Sequence, residues 1–107
     1  MPDVLARPLT LPCGATIPNR LAKAAMTEGL ATAQGVPTPA LDRLYGLWSD
    51  GGSGLLLSGN IIVDGAHLER PGNVVIEREP DAAIREALAR WARAATRNGN
   101  HFWAQIS

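Results

Sequence analysis

The spacing of apolar and polar positions predicts three strands along the chain. Residues 21–26 form the first candidate, although their alanine-rich sequence equally suits the start of a helix. Residues 54–58 and 102–106 are short apolar runs, the pattern of strands that are buried on both faces. We therefore expect a sheet whose strands are separated by long intervening segments.

Two of the intervening segments are predicted to be irregular. Residues 27–37 contain two glycines and a proline, which indicates a loop. Residues 60–78 form a long connection with two strand-like pieces, 61–63 and 74–76. A connection this long within a compact domain is more often functional than idle.

Two helices are predicted between the strands. The first begins at Thr38-Pro39, because a threonine hydroxyl can accept an unpaired N–H of the first turn and proline has no N–H to satisfy. It ends at Gly51-Gly52, since glycine adopts the left-handed conformation that often follows a helix. The second begins at Pro80 and ends at Asn98-Gly99.

Apolar residues recur on one face of each predicted helix, as expected for helices that pack on a sheet. The first stripe consists of Leu41, Leu44, Tyr45 and Trp48, and the second of Ile84, Leu88, Trp91 and Ala95. The cations of the second helix are expected to face water; they are Arg85, Arg90, Arg93 and Arg97.

Strands joined by helical crossovers run parallel, which makes residues 21–107 a βαβαβ unit. A hairpin lid is predicted over residues 5–18, where Pro12, Cys13 and Gly14 supply the turn. The unit suits either an open doubly wound sheet or an arc of a (β/α)8 barrel. No glycine-rich phosphate loop follows a strand, which favours the barrel arc. The expected α/β fold is a partial (β/α)8 TIM barrel of about three βα units in one domain, residues 1–107, and not a closed barrel.

Composition and charge argue against several classes of protein. Ten Lys and Arg balance ten Asp and Glu, so no basic field is available for nucleic acid or anionic lipid. No apolar run approaches the roughly 20 residues that span a bilayer, and no signal-peptide pattern opens the chain. The single cysteine, Cys13, has no Cys or His cluster around it and is expected to be inert. We expect a cytoplasmic protein without nucleic acid, membrane or metal partners.

Four ordered motifs carry a resemblance to a known enzyme family. The motifs are NRLAKAAMTEGLA at 19–31, GSGLLLSGN at 52–60, HLERPGNVVI at 67–76 and WAQIS at 103–107. In this order and at these spacings they resemble the N-terminal part of the NADH:flavin oxidoreductases, the old yellow enzymes. The resemblance covers nearly the whole chain but only about the first third of the family.

The resemblance implies a barrel that holds FMN at the carboxyl ends of its strands. Family members pass hydride from NAD(P)H through the flavin to an activated alkene or enone-type small molecule. A complete barrel needs about 250 residues or more, so the resemblance implies an N-terminal fragment. The histidine that usually follows the position of Ser107, and the family's substrate-binding residues, have no counterpart here. We therefore assign no catalytic residue.

The resemblance further implies a set of cofactor-binding residues. Thr27 matches the position that approaches the C4 carbonyl of the flavin and tunes its potential, although it could be a plain loop residue. Gly59 matches a small residue near the pyrimidine edge, or is only a bend. Gln105 matches an amide that hydrogen-bonds this edge, or is a buried amide paired to backbone. The full set is Ala24, Ala25, Met26, Thr27, Gly59 and Gln105.

Other conspicuous residues receive structural interpretations. Trp48, Trp91 and Trp103 are expected to pack helices on the sheet. His67 is expected to be a solvated loop residue, and Glu69-Arg70 an ion pair that orders the loop.

Two hypotheses for function follow. The first is the N-terminal segment of an FMN-dependent NAD(P)H oxidoreductase, inactive alone because its catalytic set is incomplete. The second is a small non-enzymatic βαβαβ module that self-associates or docks on a complementary barrel fragment. In both, the fragment is expected to self-associate, because edge strands and a barrel interior near Leu56 and Phe102 would face water.

Overall fold

The fold combines a four-stranded sheet, a small hairpin and three helices in the computed structural model, which describes residues 2–107. The helices are α1 (Pro2–Ala6), α2 (Pro39–Asp50) and α3 (Ala82–Ala95). The strands are β1 (Leu9–Thr10), β2 (Thr16–Ile17), β3 (Ala22–Lys23), β4 (Leu55–Ile62), β5 (Val74–Val75) and β6 (His101–Ile106).

Strand β4 is the centre of the sheet. It pairs in parallel with β3 at its amino end and with β5 at its carboxyl end, while β6 runs parallel to it from Leu55 to Ile61. Because Leu55 pairs with both β3 and β6, and Ile61 with both β5 and β6, strands β3 and β5 follow one another along the same edge of β4. The described residues form a parallel sheet with α2 and α3 packed on it and no closed barrel, in agreement with the predicted α/β fold.

The strand boundaries differ from those predicted. The first strand pairs only over Ala22–Lys23, so the rest of the predicted 21–26 strand lies outside the ladder. Strand β4 joins two pieces that the sequence separated, 54–58 and 61–63, because a register shift between Leu57 and Asn60 carries the strand onward. The hydroxyl of Ser58 accepts the N–H of Gln105 at 2.9 Å and thereby satisfies the backbone beside this irregularity.

Capping side chains set the starts of both long helices. The hydroxyl of Thr38 accepts the N–H of Leu41 at 3.3 Å, as predicted for α2. Gly52 follows this helix with φ of 99°, a conformation that glycine adopts readily. Helix α3 begins two positions after the predicted Pro80, because the Asp81 carboxylate caps its first turn.

The core lies between the helices and one face of the sheet. Tyr45 of α2, Trp91 of α3 and Phe102 of β6 form an aromatic cluster with ring centres 5.1–5.4 Å apart. Leu56 pairs with Phe102 and is 1% exposed, so both residues face the helices. The expectation that they line the open barrel interior is wrong, because strand alternation places their neighbours on that face.

The opposite face of the sheet is open to water. Leu57 pairs with Trp103 there, and Trp103 is 42% exposed. The prediction that Trp103 packs a helix on the sheet is therefore wrong. Trp91 is buried and Trp48 is half-buried in the core, as predicted. This exposed face, defined by Leu57 and Trp103, is called the open sheet face below.

Arg90 joins the two long helices, while its side chain stays 40% exposed. Its guanidinium pairs with the carboxylate of Asp42 and donates to the carbonyl oxygen of Pro37 at 3.2 Å. The helical phase explains this difference, because position 90 precedes the buried Trp91 and lies beside the contact between α2 and α3. Arg85, Arg93 and Arg97 keep predominantly exposed ion pairs with acidic neighbours.

The hairpin of β1 and β2 contacts the amino end of β6. Its turn carries the exposed Cys13, and the carbonyl oxygen of Thr16 lies 3.0 Å from Nε2 of His101 at the start of β6. Residues 2–6 form α1 instead of the first part of the predicted 5–18 hairpin. A lid function for the hairpin stays a prediction. Within residues 2–107, no helix is both long and apolar enough to cross a membrane.

Candidate functional site

The carboxyl ends of the central strands carry a hydrogen-bonded group of polar side chains. Parallel α/β sheets place their ligands at this edge, where loops leave the strands. We name the group the carboxyl-end cluster. Its members are Thr27, Asn60, Glu69, Asn73 and Gln105.

Glu69 is the shared acceptor of this cluster. Its Oε1 accepts the hydroxyl of Thr27 at 2.8 Å and the side-chain amide of Asn60 at 3.0 Å. The amide of Asn73 approaches the same oxygen at 3.4 Å. Gln105 Nε2 donates to Asn60 Oδ1 at 2.6 Å, so a continuous chain of hydrogen bonds links Thr27 to Gln105.

The loop that carries Glu69 is held by a side-chain bond within the loop and by a backbone bond to the 27–37 segment. Asn73 Oδ1 accepts the N–H of Arg70 at 2.9 Å, and the carbonyl oxygen of Gly72 accepts the N–H of Ala31 at 2.9 Å. The hydroxyl of Thr27 and then the amide of Asn60 lower the pKa of Glu69, while the charge of Arg70 has a smaller effect. Glu69 therefore orders the loop chiefly through neutral donors, and not through the expected ion pair with Arg70.

His67 lies on the exposed part of the same loop, as predicted. Its Nδ1 is 2.9 Å from Oδ2 of Asp64, and the His67 side chain is 80% exposed. A backbone N–H from Ala66 and the His67 ring both lower the pKa of the Asp64 carboxyl. These contacts form a local turn, and none of them joins the carboxyl-end cluster.

Gly59 allows the backbone after β3 to pass very close to β4. A Cβ atom at this position would lie 2.6 Å from Cα of Thr27 and 2.8 Å from the carbonyl oxygen of Met26. The N–H of Gly59 donates to the hydroxyl of Tyr45 at 3.1 Å, and its carbonyl accepts the Ser58 hydroxyl at 2.7 Å. Packing thus explains a glycine here, and contact with a flavin stays a prediction.

A second polar group lies beneath the carboxyl-end cluster and was not anticipated from the sequence. The hydroxyl of the buried Tyr45 donates to the carboxylate of Glu28. Burial, and then this carboxylate, raise the pKa of Tyr45 far above its ordinary value. Lys23 Nζ lies 4.6 Å from the ring centre of Trp48, and partial burial lowers the Lys23 pKa. The helical stripe that contains Tyr45 indicated only a core residue, so it gave no sign of these partners.

The predicted cofactor-binding residues occupy different environments. Thr27 and Gln105 join one network through Asn60, while Gly59 is buried beneath it. Gln105 is exposed, not buried as expected, because nothing in the described chain covers β6 on its outer side. The segment that leads into Thr27 consists of the exposed Ala24, the half-buried Ala25 and Met26, which is 56% exposed.

The cluster offers the polar groups that a flavin requires. The pyrimidine ring of a flavin presents an N–H between two carbonyl oxygens, and an exposed amide such as that of Gln105 can both accept and donate. The exposed Met26 supplies apolar surface beside these groups. The donor set fits FMN with one difference, since the Thr27 hydroxyl already donates to Glu69.

An open groove of about 260 Å³ reaches the cluster at Asn73. A groove of about 360 Å³ lies between β5 and the start of α3, where Val75 and Ile84 line it, and none of its lining residues belongs to the carboxyl-end cluster. Within the part of the chain that the structure describes, no three His, Cys, Asp or Glu side chains are grouped so that they could hold a metal ion.

Comparison with known proteins identifies what this arrangement resembles. A scan against models of protein families finds no match. An NADH-dependent flavin oxidoreductase of Hypocrea jecorina is 35% identical over 101 residues, which are 94% of this chain and 25% of the relative. A protein of the same description from Neonectria sp. is 39% identical over 94 residues, which are 87% of this chain and 12% of the relative. The chain thus spans about a quarter or less of these relatives.

Solved structures give the same result for the fold. The old yellow enzyme homologue of Zymomonas mobilis superposes with a TM-score of 0.78 at 26% identity, over 95% of this chain and 27% of that protein. A 2-naphthoyl-CoA reductase superposes with a TM-score of 0.87 at 18% identity, over 99% of this chain and 16% of that protein. Sequence and fold therefore support the resemblance: over most of its length the chain is similar to a part of the NADH-dependent flavin oxidoreductases, and its fold matches a part of the old yellow enzyme homologue of Zymomonas mobilis.

Proposed function

We propose that this chain forms the part of a flavin-dependent NADH oxidoreductase that holds the pyrimidine edge of FMN. The carboxyl-end cluster is the observation that carries the proposal, because it gathers a hydroxyl and exposed amides at the strand ends where such barrels bind ligands. FMN, when bound, supplies the hydride transfer between NAD(P)H and an alkene or enone-type substrate. Similarity to NADH-dependent flavin oxidoreductases supports the use of NADH and a flavin, and a cytoplasmic location is part of the proposal.

Each residue of the proposed site has a distinct task. The Gln105 amide binds the polar edge of the ring, and Met26 contributes apolar contact. Thr27 and Gly59 bring the backbone after β3 against β4, which fixes the position of the ring-binding segment. Ala24 and Ala25 keep this segment small enough for close approach of a planar ligand.

We propose that the chain alone does not catalyse the oxidation of NADH. It covers only 12–25% of the curated relatives, and no residue in it is assigned to protonate or hold the substrate. Binding energy for FMN and substrate must therefore come largely from the remaining barrel.

A chimera tests the proposal. This chain replaces the matching segment of the Hypocrea jecorina relative, and the isolated chain is studied in parallel. The chimera is expected to purify with FMN, identified by chromatography after heat release, and to oxidise NADH, whereas the isolated chain is not. A folded chimera that contains no flavin, or that contains FAD instead, would contradict the proposal.

A pair of glutamine variants locates the site. Gln105→Ala is expected to weaken FMN binding about tenfold, since one hydrogen bond to the ligand is worth about 1.4 kcal/mol. Gln34→Ala is the matched control, because Gln34 is also exposed but lies outside the carboxyl-end cluster. Equal FMN affinities for the two variants, measured by flavin fluorescence, would place the pyrimidine edge elsewhere.

One observation favours the non-enzymatic module as a second candidate. The open sheet face exposes apolar side chains that a monomeric domain normally covers. Docking on a complementary fragment without flavin would leave the carboxyl-end cluster unaffected. Formation of a stable complex with the remaining fragment of the relative, with no FMN bound, would select this candidate.

A further inference from the structure

Three side chains of the carboxyl-end cluster donate hydrogen bonds to Glu69. A carboxylate has no hydrogen to donate, so every group that bonds to it must do so as a donor. Thr27 therefore uses its O–H, and Asn60 its NH2 group, on the Glu69 carboxylate. The orientation of the Asn60 side chain follows from this acceptor.

The orientation passes from Asn60 to Gln105. With its NH2 group turned to Glu69, Asn60 presents Oδ1 to β6, and this oxygen accepts from Nε2 of Gln105 at 2.6 Å. The amide of Gln105 is thereby left with Oε1 directed away from Asn60. Rotation of either amide by half a turn would place two donors or two acceptors against each other.

We propose that Glu69 is a positioning residue, which directs the amide oxygen of Gln105 toward the ligand through Asn60 and so makes the site select a ligand N–H. The inference rests on the proposed function for the identity of the ligand, whose N–H would be that of the FMN pyrimidine ring. It extends that function by naming a residue of the 63–73 loop that sets the polarity of the site. Thr27 acquires the same polarity, since its O–H is held by Glu69.

Nuclear magnetic resonance on the 107-residue chain tests the coupling without any ligand. As the pH falls from neutral through the lowered pKa of Glu69, the side-chain NH2 signals of Asn60 and Gln105 are expected to shift together with the Glu69 carboxyl carbon. The charge of Arg70 acts on Glu69. The other partners of Glu69, the side chains of Thr27, Asn60 and Asn73, are neutral.

Two variants separate the coupling from other titrations. Glu69→Gln is nearly isosteric and is expected to abolish the common midpoint of the two amide signals. Asp64→Asn is the matched control, because Asp64 is another exposed carboxylate of the loop that bonds to His67 instead. The inference would be overturned if the chemical shifts of the Asn60 and Gln105 amides in the native chain did not change as Glu69 titrates. This result would count even if Glu69→Gln failed to fold.

The ligand arm compares FMN with its N3-methylated analogue in the chimera described above. The native cluster is expected to prefer FMN about tenfold, and Glu69→Ala to reduce that preference to about twofold. An unchanged preference in Glu69→Ala would overturn the role of Glu69 while leaving the proposed function intact. Failure of both compounds to bind would contradict the proposed function, and the amide titration would still decide the coupling.

Discussion

Gly59 shows how strongly one position constrains the backbone around the site. A methyl group at this position would meet backbone atoms of Thr27 and Met26, which cannot rotate away as a flexible side chain could. Gly59→Ala is therefore expected to lower the free energy of unfolding by about 1–3 kcal/mol. Thermal unfolding followed by circular dichroism measures this loss.

Gly51→Ala provides the control for this substitution. Gly51 has helical dihedral angles at the exposed end of α2, so alanine fits its backbone conformation, and the nearest atom to its Cβ would be the carbonyl oxygen of Trp48 at 3.2 Å. Its expected effect on the free energy of unfolding is within about 0.5 kcal/mol. A loss at Gly51 as large as that at Gly59 would contradict the close approach of the segment after β3 to β4.

Tyr45 offers a direct measure of burial because it is the only tyrosine in the chain. Burial and the Glu28 carboxylate raise its pKa above the ordinary 10.0, so the native chain is expected to form no phenolate until it unfolds. The unfolded chain ionises first, and stability that is fully present below pH 10.0 is lost as the pH rises above it. Phenolate absorbance and circular dichroism are measured together in an alkaline titration.

Denaturant and a charge variant complete the tyrosine experiment. In urea, Tyr45 is expected to ionise near the ordinary tyrosine pKa of 10.0. Glu28→Gln is expected to lower the pKa of Tyr45 in the native chain, while burial still holds this pKa above 10.0. Reversible phenolate formation near pH 10.0 in a folded chain would show that the Tyr45 hydroxyl is open to water.

The sequence indicated those residues of the carboxyl-end cluster that lie at a recognisable strand end, and missed the others. Thr27 and Gln105 follow strand patterns and carry the family's motif, so the sequence could indicate them. Glu69 bonds to Thr27, which is 42 positions away along the chain, and no local periodicity records such a contact. The exposure of Gln105 also escaped prediction, because the burial of an edge strand depends on which segments lie beside it, and the apolar pattern of β6 does not record them.

The contact between α2 and α3 depends on an ion pair that the helical pattern placed in solvent. The Asp42 side chain is only 14% exposed, and Arg90 is its charged partner. Arg90→Ala leaves this carboxylate without its partner and is expected to lower the free energy of unfolding by about 1–3 kcal/mol. Urea unfolding gives the change.

Arg93→Ala is the matched control on the same helix. Arg93 pairs with Glu86, and both side chains are about two-thirds exposed, at 65% and 66%. Its expected cost is below about 0.5 kcal/mol, since exposed pairs are weak. Equal midpoints for the two variants would show that Arg90 belongs to the solvent face after all.

The two long helices, α2 and α3, were easier to predict than the strands, and the reason is physical. Helix starts are marked by local capping residues such as Thr38 and Asp81 within one turn of their partners. Strand limits are set by pairing with distant segments, so the irregularity between Leu57 and Asn60 was invisible in the apolar pattern. Strand β4 consequently extended through residues that the sequence divided between a strand and a loop.

The open sheet face is the surface through which we expect copies of this chain to associate. Trp103 stands on this face, and substitution with lysine adds a charge where two sheets would otherwise meet. Trp103→Lys is therefore expected to reduce self-association of the isolated chain in sedimentation experiments. The Leu47→Lys control changes a residue of α2 that is 55% exposed and lies outside this face.

Two results would contradict the role of the open sheet face. A monodisperse native chain would show that the face needs no partner, and equal effects of the lysine variants would show that association occurs through another surface. The sequence predicted that the strands run parallel. It did not predict which apolar residues of these strands face outward. Leu56 and Phe102 were assigned to the wrong side because alternation alone does not say which face the helices cover.

The order in which strands pair has a consequence for synthesis on the ribosome. Strand β4 forms pairs along most of one edge with β6, the last strand of the described chain. Translation proceeds from the amino end, so β4 has been synthesised before β6. This edge of β4 therefore stays unpaired until β6 leaves the exit tunnel. The speed of translation across residues 63–100 therefore sets how long a nascent chain presents an unpaired apolar strand to chaperones and to neighbouring nascent chains.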